Sequence, residues 1–138
     1  MSKIRVEELS IGDWVQDKNG TYAQILGIEN WSDGYMLNVR INGVDVGCVP
    51  ALSALPIPIT PEILEKNGWK LSKSNWFEFE DGEWKINIWI GKSKCNIEIS
   101  QKREIYASTY ADIQVVKSNI NTLQHALRFA GVDKEITL

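Results

Sequence analysis

A proline-rich segment that leads into a short helix constrains the fold of this chain more than any other stretch. Residues 56–69 read PIPITPEILEKNGW. The first two prolines fix φ and favour extended geometry in the residues before them, which predicts a stiff connector. Thr60 can then cap a helix, Pro61 suits its first position, and Gly68 can end it. The segment therefore predicts a hinge and a short helix that divide the chain into two unlike halves.

The first half has the pattern of a small antiparallel sheet. Asn19-Gly20 and Asn42-Gly43 are hairpin-turn signals, and short stretches that alternate between polar and apolar residues flank them. Gly27 interrupts one of these stretches, where it predicts a bulge or bend. Four short strands at this spacing predict an SH3-like antiparallel β-barrel over residues 1–55.

A hairpin in the second half is predicted from Asp81-Gly82, which lies between two runs rich in aromatic and β-branched residues. Counting outward from this turn pairs Phe79 with Trp84, and Trp76 with Asn87. In that register the apolar side chains share one face of the sheet, and the polar side chains lie on the other.

Further strands and a final helix are predicted beyond this hairpin. The strands are expected over residues 95–99, 104–108 and 112–116. Ser118 can cap the helix, Gly131 can end it, and apolar residues recur between them at helical spacing. The predicted fold is therefore α+β, with a barrel over 1–55, a hinge and short helix over 56–69, and a β-meander covered by a C-terminal helix over 70–138.

Composition limits the class of protein. Of the 138 residues, 43% are hydrophobic, which is enough for a packed core. No apolar run has the length of a membrane span and the first residues lack a signal-peptide pattern, so we expect a cytoplasmic protein without a membrane partner. The net charge of −3 argues against binding to long nucleic acids. Cys48 and Cys95 form no CxxC motif and are expected to be small, buried, reduced thiols.

The sequence contains few groups that could perform catalysis. His125 is the only histidine, and a partly packed position on the last helix is expected for it. The chain has no GxxxxGK[ST] loop, no HExxH motif and no GxSxG motif. We therefore expect no enzyme activity, no cofactor and no metal site.

The content of tryptophan is the strongest indication of a binding surface, because the chain has six. The predicted hairpin places Trp76 and Trp89 beside Asn87 on the face opposite the apolar one. An aromatic surface of this kind predicts an interface with a protein partner or a second copy of the chain. The alternative is a stacking platform for the bases of a small nucleotide. In that case the phosphates would be neutralised by nearby basic residues, namely Lys92, Lys94, Lys102 and Arg103.

The predicted barrel offers a second candidate surface. Its aromatic residues Trp14, Tyr22, Trp31 and Tyr35 are predicted to line a groove of the type that SH3-like domains use to bind peptides. This hypothesis places the binding activity in residues 1–55 rather than in the second sheet.

Three motifs of the chain carry a resemblance to a known family. They are ELSIGDWV at residues 8–15, PIPITPEILEKNGW at residues 56–69, and LQHALRFAG at residues 123–131. In these motifs the chain resembles a family of short uncharacterised proteins encoded by anaerobic gut bacteria and by their phages and mobile elements. The resemblance implies a phage or mobile-element accessory protein and supplies no catalytic residues. Taken together with Trp76, Trp89 and the basic residues, the resemblance gives the alternative function its form: a nucleotide-binding sponge that sequesters a defence signalling nucleotide.

Overall fold

The computed structural model describes residues 4–92, 95–101, 109–115 and 119–138. The chain divides into two compact units, Met1–Ile57 and Pro58–Leu138. The described residues form two antiparallel sheets, one in each unit, and a helix near the C-terminus. Within the described part, no helix is long and apolar enough to cross a membrane. The finer division at 1–55, 56–69 and 70–138 stays a prediction.

The first unit contains a four-stranded antiparallel sheet. Its strands are β1 (Trp14–Gln16), β2 (Tyr22–Trp31), β3 (Gly34–Ile41) and β4 (Val44–Pro50), and they pair in chain order. Single 3₁₀ turns precede and follow the sheet, at Val6–Glu8 and Ala51–Ser53. Because the pairing runs from β1 to β4 without closing, closure into a barrel stays a prediction.

Turn and bulge signals in the first unit are confirmed. Asn42 and Gly43 have φ values of 49° and 78°, as a type I′ hairpin turn requires. The β2–β3 register shifts between Ile25 and Gly27, where the bulge was predicted. Because of this bulge, the core residue Ile25 and the half-buried Ile28, which packs against the core, lie on one face although they are three positions apart.

The core of the first unit lies on one face of its sheet. Seven buried apolar residues form it: Leu9, Val15, Ala23, Ile25, Leu37, Val39 and Ala54. The expectation that Cys48 is buried is wrong, because Cys48 pairs with Asn38 on the other face and is exposed. Cys95, in the second unit, is buried as expected, and both cysteines are free thiols.

The predicted short helix is confirmed as α1 (Pro61–Lys66). The Thr60 hydroxyl accepts a hydrogen bond from the Ile63 N–H at 3.3 Å, which satisfies a free donor of the first turn. Gly68 follows the helix with a φ of 97°, and a side chain there would meet the ring of Phe79 at 3.0 Å. Trp69 then enters the core of the second unit, where it is 1% exposed.

The second unit contains a five-stranded antiparallel sheet. Its strands are β5 (Lys70–Lys73), β6 (Trp76–Asp81), β7 (Trp84–Ile90), β8 (Cys95–Gln101) and β9 (Thr109–Val115), again paired in chain order. Sequence reasoning missed β5, which joins β6 through Ser74 and Asn75 at φ values of 36° and 68°. The strand predicted over 104–108 lies outside the described residues.

The register predicted for the β6–β7 hairpin is wrong by two residues. Phe79 pairs with Ile86 rather than Trp84, and Trp76 pairs with Trp89 rather than Asn87. The turn residues are Gly82 and Glu83, and Gly82 alone has a positive φ, of 58°. Glycine at the first central position fits a type II′ turn, whereas the prediction placed it second, as in type I′. A shift of two leaves every side chain on its predicted face.

The last helix, α2 (Ile120–Ala130), lies against β8 and β9. Its cap is Asn119 rather than the predicted Ser118: Asn119 Oδ1 accepts the Thr122 N–H at 2.9 Å, and Thr122 Oγ1 accepts the Asn119 N–H at 3.1 Å. This reciprocal pair satisfies two donors at once. Gly131 ends the helix with a φ of 87°, as predicted.

Side-chain amides hold the C-terminal tail against the second unit. Asn67 Nδ2 donates to the Thr137 carbonyl at 2.8 Å, and Asn67 Oδ1 accepts the Thr137 N–H at 2.7 Å. Gln124 Nε2 likewise donates to the Lys134 carbonyl, and Gln124 Oε1 accepts the Ile136 N–H, both at 2.8 Å. The tail is therefore a docked segment and not a further strand of the sheet.

Candidate functional site

The second sheet has an apolar face and an opposite face, which we call the outer face. Side chains on the apolar face are fully buried at Ile86, Ile88 and Ile97. On the outer face, the strand register aligns residues in rows that cross the sheet. The tryptophan row contains Lys73, Trp76, Trp89 and Asn96. The acidic row contains Lys70, Glu78, Asn87 and Glu98.

Trp76 and Trp89 stand directly opposite each other at the centre of the tryptophan row. The Ile90 N–H donates to the Asn75 carbonyl at 3.0 Å, so the preceding pair is the hydrogen-bonded one. The tryptophan pair is then a non-hydrogen-bonded pair, in which Cα atoms approach to about 4.5 Å and side chains are closest. Both indoles are half-buried. Ring contacts of the described residues include Trp69 with Phe79 but none between Trp76 and Trp89.

Hydrogen-bond acceptors dominate the centre of the acidic row. Asn87 pairs with Glu78 on one side and with Glu98 on the other. The side-chain oxygens of Asn87 and of Asn96 are buried and accept no hydrogen bond. A buried acceptor without a donor is costly, and so is a concentration of carboxylates in one row. The centre of this row therefore carries two carboxylates and an acceptor without a donor, while Lys70 stands at the edge of the row and Lys85 in the row beside it.

The predicted basic cluster is only partly described. Lys92 follows β7 and is exposed, whereas Lys94, Lys102 and Arg103 lie outside the described residues. Two other lysines, Lys70 and Lys73, are exposed on the edge strand β5, at the ends of the acidic and tryptophan rows. The sequence did not indicate these two, because β5 itself was not predicted.

The aromatic residues of the proposed barrel groove do not converge. Trp14 and Tyr22 lie near one end of β2, on the face of the first sheet away from its core. Trp31 lies on the same face of the sheet but far from Trp14. The partner of Trp14 on β2 is Gln24, and Trp31 is seven residues further along that strand, or about 23 Å in extended geometry. Tyr35 aligns with Leu37 on the core side instead. The strand geometry therefore leaves Trp14 and Tyr22 as neighbours and separates Trp31 and Tyr35 from them.

A polar cluster around Cys48 was not predicted. Cys48 Sγ lies 2.9 Å from Asn38 Oδ1 and 3.4 Å from Glu29 Oε2, and Trp31 Nε1 donates to the same Glu29 oxygen at 3.2 Å. Desolvation by these neighbours raises the pKa of the Cys48 thiol, and the hydrogen bond to Glu29 and its charge raise it further. The thiol is thus held in its protonated, less nucleophilic form. The cluster depends on strand register, so no local pattern in the sequence signals it.

The remaining titratable candidates are not among the outer-face residues. His125 is half-buried on α2. Asp13 is buried in the first unit, where its carboxylate accepts the Ser10 N–H at 2.8 Å and stabilises the turn before β1. Among the described residues, no three His, Cys, Asp or Glu side chains are grouped closely enough to hold a metal ion.

Comparison with known proteins assigns no function to the chain, so the geometry of the site is the basis for a functional proposal. No protein-family model matches the chain, and neither a curated protein nor a solved structure matches it. The likeness to the gut-bacterial and phage family thus remains a resemblance carried by three motifs. The outer face of the second sheet is the candidate site because it brings together three predicted residues, Trp76, Asn87 and Trp89.

Proposed function

We propose that this protein is a non-catalytic binding protein that uses the outer face of its second sheet to bind another protein, either a second copy of the chain or a host partner. The observation that carries the proposal is the direct pairing of Trp76 with Trp89 on a face that the core does not use. Tryptophan is among the residues most enriched at the centres of protein interfaces. The resemblance supports a role as an accessory protein of a phage or mobile element.

The chemistry of the outer face supports recognition rather than turnover. The face brings together indoles, side-chain amides and carboxylates, which recognise a partner through stacking, hydrogen bonds and charge. The exposed Cys48 thiol is the most evident nucleophile of the first unit, and its raised pKa disfavours the thiolate. Both observations support the proposal that the protein binds its target without converting it.

The proposal extends to the first unit, whose sheet we propose closes into an SH3-like barrel. Two register shifts support this, one between Ile25 and Gly27 in β2 and one beside Val39 in the β3–β4 pairing. Bulges of this kind bend and twist strands, as the corners of a small barrel require. In such a barrel Trp14 and Tyr22 form the surviving part of the predicted peptide groove.

Light scattering over a wide range of protein concentration tests the role of the outer face. We expect the wild-type chain to self-associate, and Trp89→Ser to weaken that association because it removes half of the indole pair. Trp31→Ser is the matched control, since Trp31 is an exposed tryptophan, at 51%, in the first sheet. If the protein captures a host partner instead, the same two variants are compared in a pull-down of that partner.

Two results would contradict the proposal. One is a wild-type chain that stays monomeric at every concentration and retains no partner. The other is equal weakening by Trp89→Ser and Trp31→Ser, which would mean that the outer face has no special role.

A second candidate function is the nucleotide sponge, and the tryptophan row favours it. The row pairs Trp76 with Trp89 across neighbouring strands, with Lys73 in the same row and Lys92 just after β7. A nucleobase stacked on an aromatic side chain contributes about 1 to 3 kcal/mol, and the lysines can neutralise phosphates. A thermal-shift screen against mono-, di- and cyclic oligonucleotides tests this function. A rise in Tm with the nucleotide recovered intact supports a sponge, and no shift at millimolar concentration excludes one.

A further inference from the structure

The acceptor groups of the outer face define what a ligand there must supply. Glu78 and Glu98 lie on either side of Asn87, two strand spacings or about 10 Å apart. The side-chain oxygens of Asn87 and Asn96 are buried and accept no hydrogen bond. A complementary ligand therefore carries positive charge and several hydrogen-bond donors.

The tryptophan row adds a requirement for shape. Trp76 and Trp89 are each two residues along their strands from Glu78 and Asn87, so the two rows are about 7 Å apart. A flat group that stacks on an indole can reach the neighbouring row from that position. The face thus suits a ligand that is both planar and cationic.

We infer that the outer face of the second sheet binds an arginine side chain of the protein partner, an assignment that rests on the proposed function above. Guanidinium is planar, carries five N–H donors and no acceptor, and stacks on aromatic faces. It pairs with carboxylates through two parallel hydrogen bonds, as Glu78 or Glu98 could accept. A lysine ammonium provides the charge but is not planar, and it lacks the paired N–H donors that match a carboxylate. Arginine therefore satisfies every requirement of the site.

The carboxylates of the outer face act in opposite ways on an arginine and on a nucleotide. Glu78 and Glu98 lie one row from the indoles and repel the phosphates of a stacked nucleotide. They attract a guanidinium at the same distance. The two carboxylates favour arginine, whereas Lys73 in the tryptophan row and Lys85 beside the acidic row attract phosphates, and experiment distinguishes the two ligands.

The test is a titration of the full-length chain with three short peptides of equal length. The peptides are acetylated, amidated tri-arginine, tri-lysine and tri-citrulline, of which citrulline has the shape of arginine without its charge. Binding is followed through the indole N–H resonances of the tryptophans. We expect saturable binding of tri-arginine, binding of tri-lysine that is weaker by about fivefold or more, and no binding of tri-citrulline.

Matched variants identify the groups responsible. Glu98→Gln is expected to weaken tri-arginine binding by about tenfold, because it removes one charge-assisted pair and keeps the shape of the side chain. Glu65→Gln, at an exposed carboxylate on α1, is the control and is expected to leave binding unchanged. Trp89→Leu is expected to abolish saturable binding, whereas Trp31→Leu is not. Circular dichroism of each variant confirms that it is folded.

The inference is overturned if tri-citrulline binds as tightly as tri-arginine, or if Glu98→Gln and Glu65→Gln have equal effects. It is also overturned if ATP binds through Trp89 while tri-arginine does not, a result that would establish the nucleotide function instead. If tri-arginine fails to bind but Trp89→Ser still weakens self-association, the arginine inference fails and the proposed binding function stands.

Discussion

Replacing Asn67 is expected to release the C-terminal tail and destabilise the second unit. The Asn67 side chain is 5% exposed and makes three hydrogen bonds. Its amide donates to the carbonyls of Ile63 and Thr137, both at 2.8 Å, and its oxygen accepts the Thr137 N–H at 2.7 Å. Asn67→Ala removes all three. The backbone there, with φ −97° and ψ 10°, is accessible to alanine, so the loss comes from the side chain.

The magnitude follows from the three bonds and from the groups that they leave behind. Each hydrogen bond contributes about 1 kcal/mol, and a buried group left without a partner costs about 1 to 3 kcal/mol. Because Thr137 is exposed, water can replace its lost partners in part. We therefore expect Asn67→Ala to lower the free energy of unfolding by about 2 to 4 kcal/mol.

Urea unfolding, followed by far-UV circular dichroism, measures this loss. With an m value of about 1 to 2 kcal/mol/M, the unfolding midpoint should fall by roughly 2 M. Asn30→Ala is the control, because Asn30 is exposed on β2, and it should stay within about 0.5 kcal/mol of the wild type.

A double-mutant cycle tests the cause of the loss. Deleting Thr137 and Leu138 removes two of the three partners of Asn67, so Asn67→Ala should cost less in the shortened chain than in the full chain. Additive effects, or a loss under 1 kcal/mol from Asn67→Ala alone, would refute the account of the docked tail.

Three further predictions concern single sites. Because desolvation and Glu29 raise the pKa of Cys48, Glu29→Gln should lower that pKa and speed the reaction of the thiol with iodoacetamide near pH 8. The rates of the wild type and the variant should converge at higher pH, where the Cys48 thiol ionises in both proteins. An unchanged rate at pH 8 would exclude the role of Glu29. Leu127→Ala, at a fully buried position, should lower the free energy of unfolding in urea by about 2 to 5 kcal/mol. Phe129→Ser, at a residue 90% exposed, should lower it by less than about 0.5 kcal/mol. Similar losses from the two variants would contradict the placement of α2. Gly131→Ala should cost about 1 kcal/mol by the same measurement, because a φ of 87° strains any residue with a Cβ, and no cost would argue against a left-handed cap.

Short-range signals in the sequence were enough to predict the turns and helix ends. The Asn42-Gly43 turn, the Thr60 cap and the Gly131 stop each depend on the φ of a few residues and on hydrogen bonds within one turn. The last helix shows the limit of such signals. Phe129 is apolar, but it lies about 200° around the helix from Leu127 and is exposed.

The register of neighbouring strands was established only by the folded structure. Asp81-Gly82 and Gly82-Glu83 are both acceptable two-residue turns, and both registers leave the same side chains on the same face. The pattern of apolar residues therefore cannot choose between them. The choice nevertheless decides whether Trp89 stands opposite Trp76 or diagonal to it, and so decides the geometry of the candidate site.

The sequence alone determined which face of the second sheet carries Trp76, Asn87 and Trp89, because side chains alternate along a strand whatever its neighbours are. The tertiary structure decided which side chains are neighbours on that face. The position of Asn87 between Glu78 and Glu98 depends on the order and register of three strands. The hydrogen bonds between Asn67 and Thr137 likewise join residues 70 positions apart. Contacts of this kind form only when the whole unit packs, because the free energy that selects them is shared among all its strands and helices.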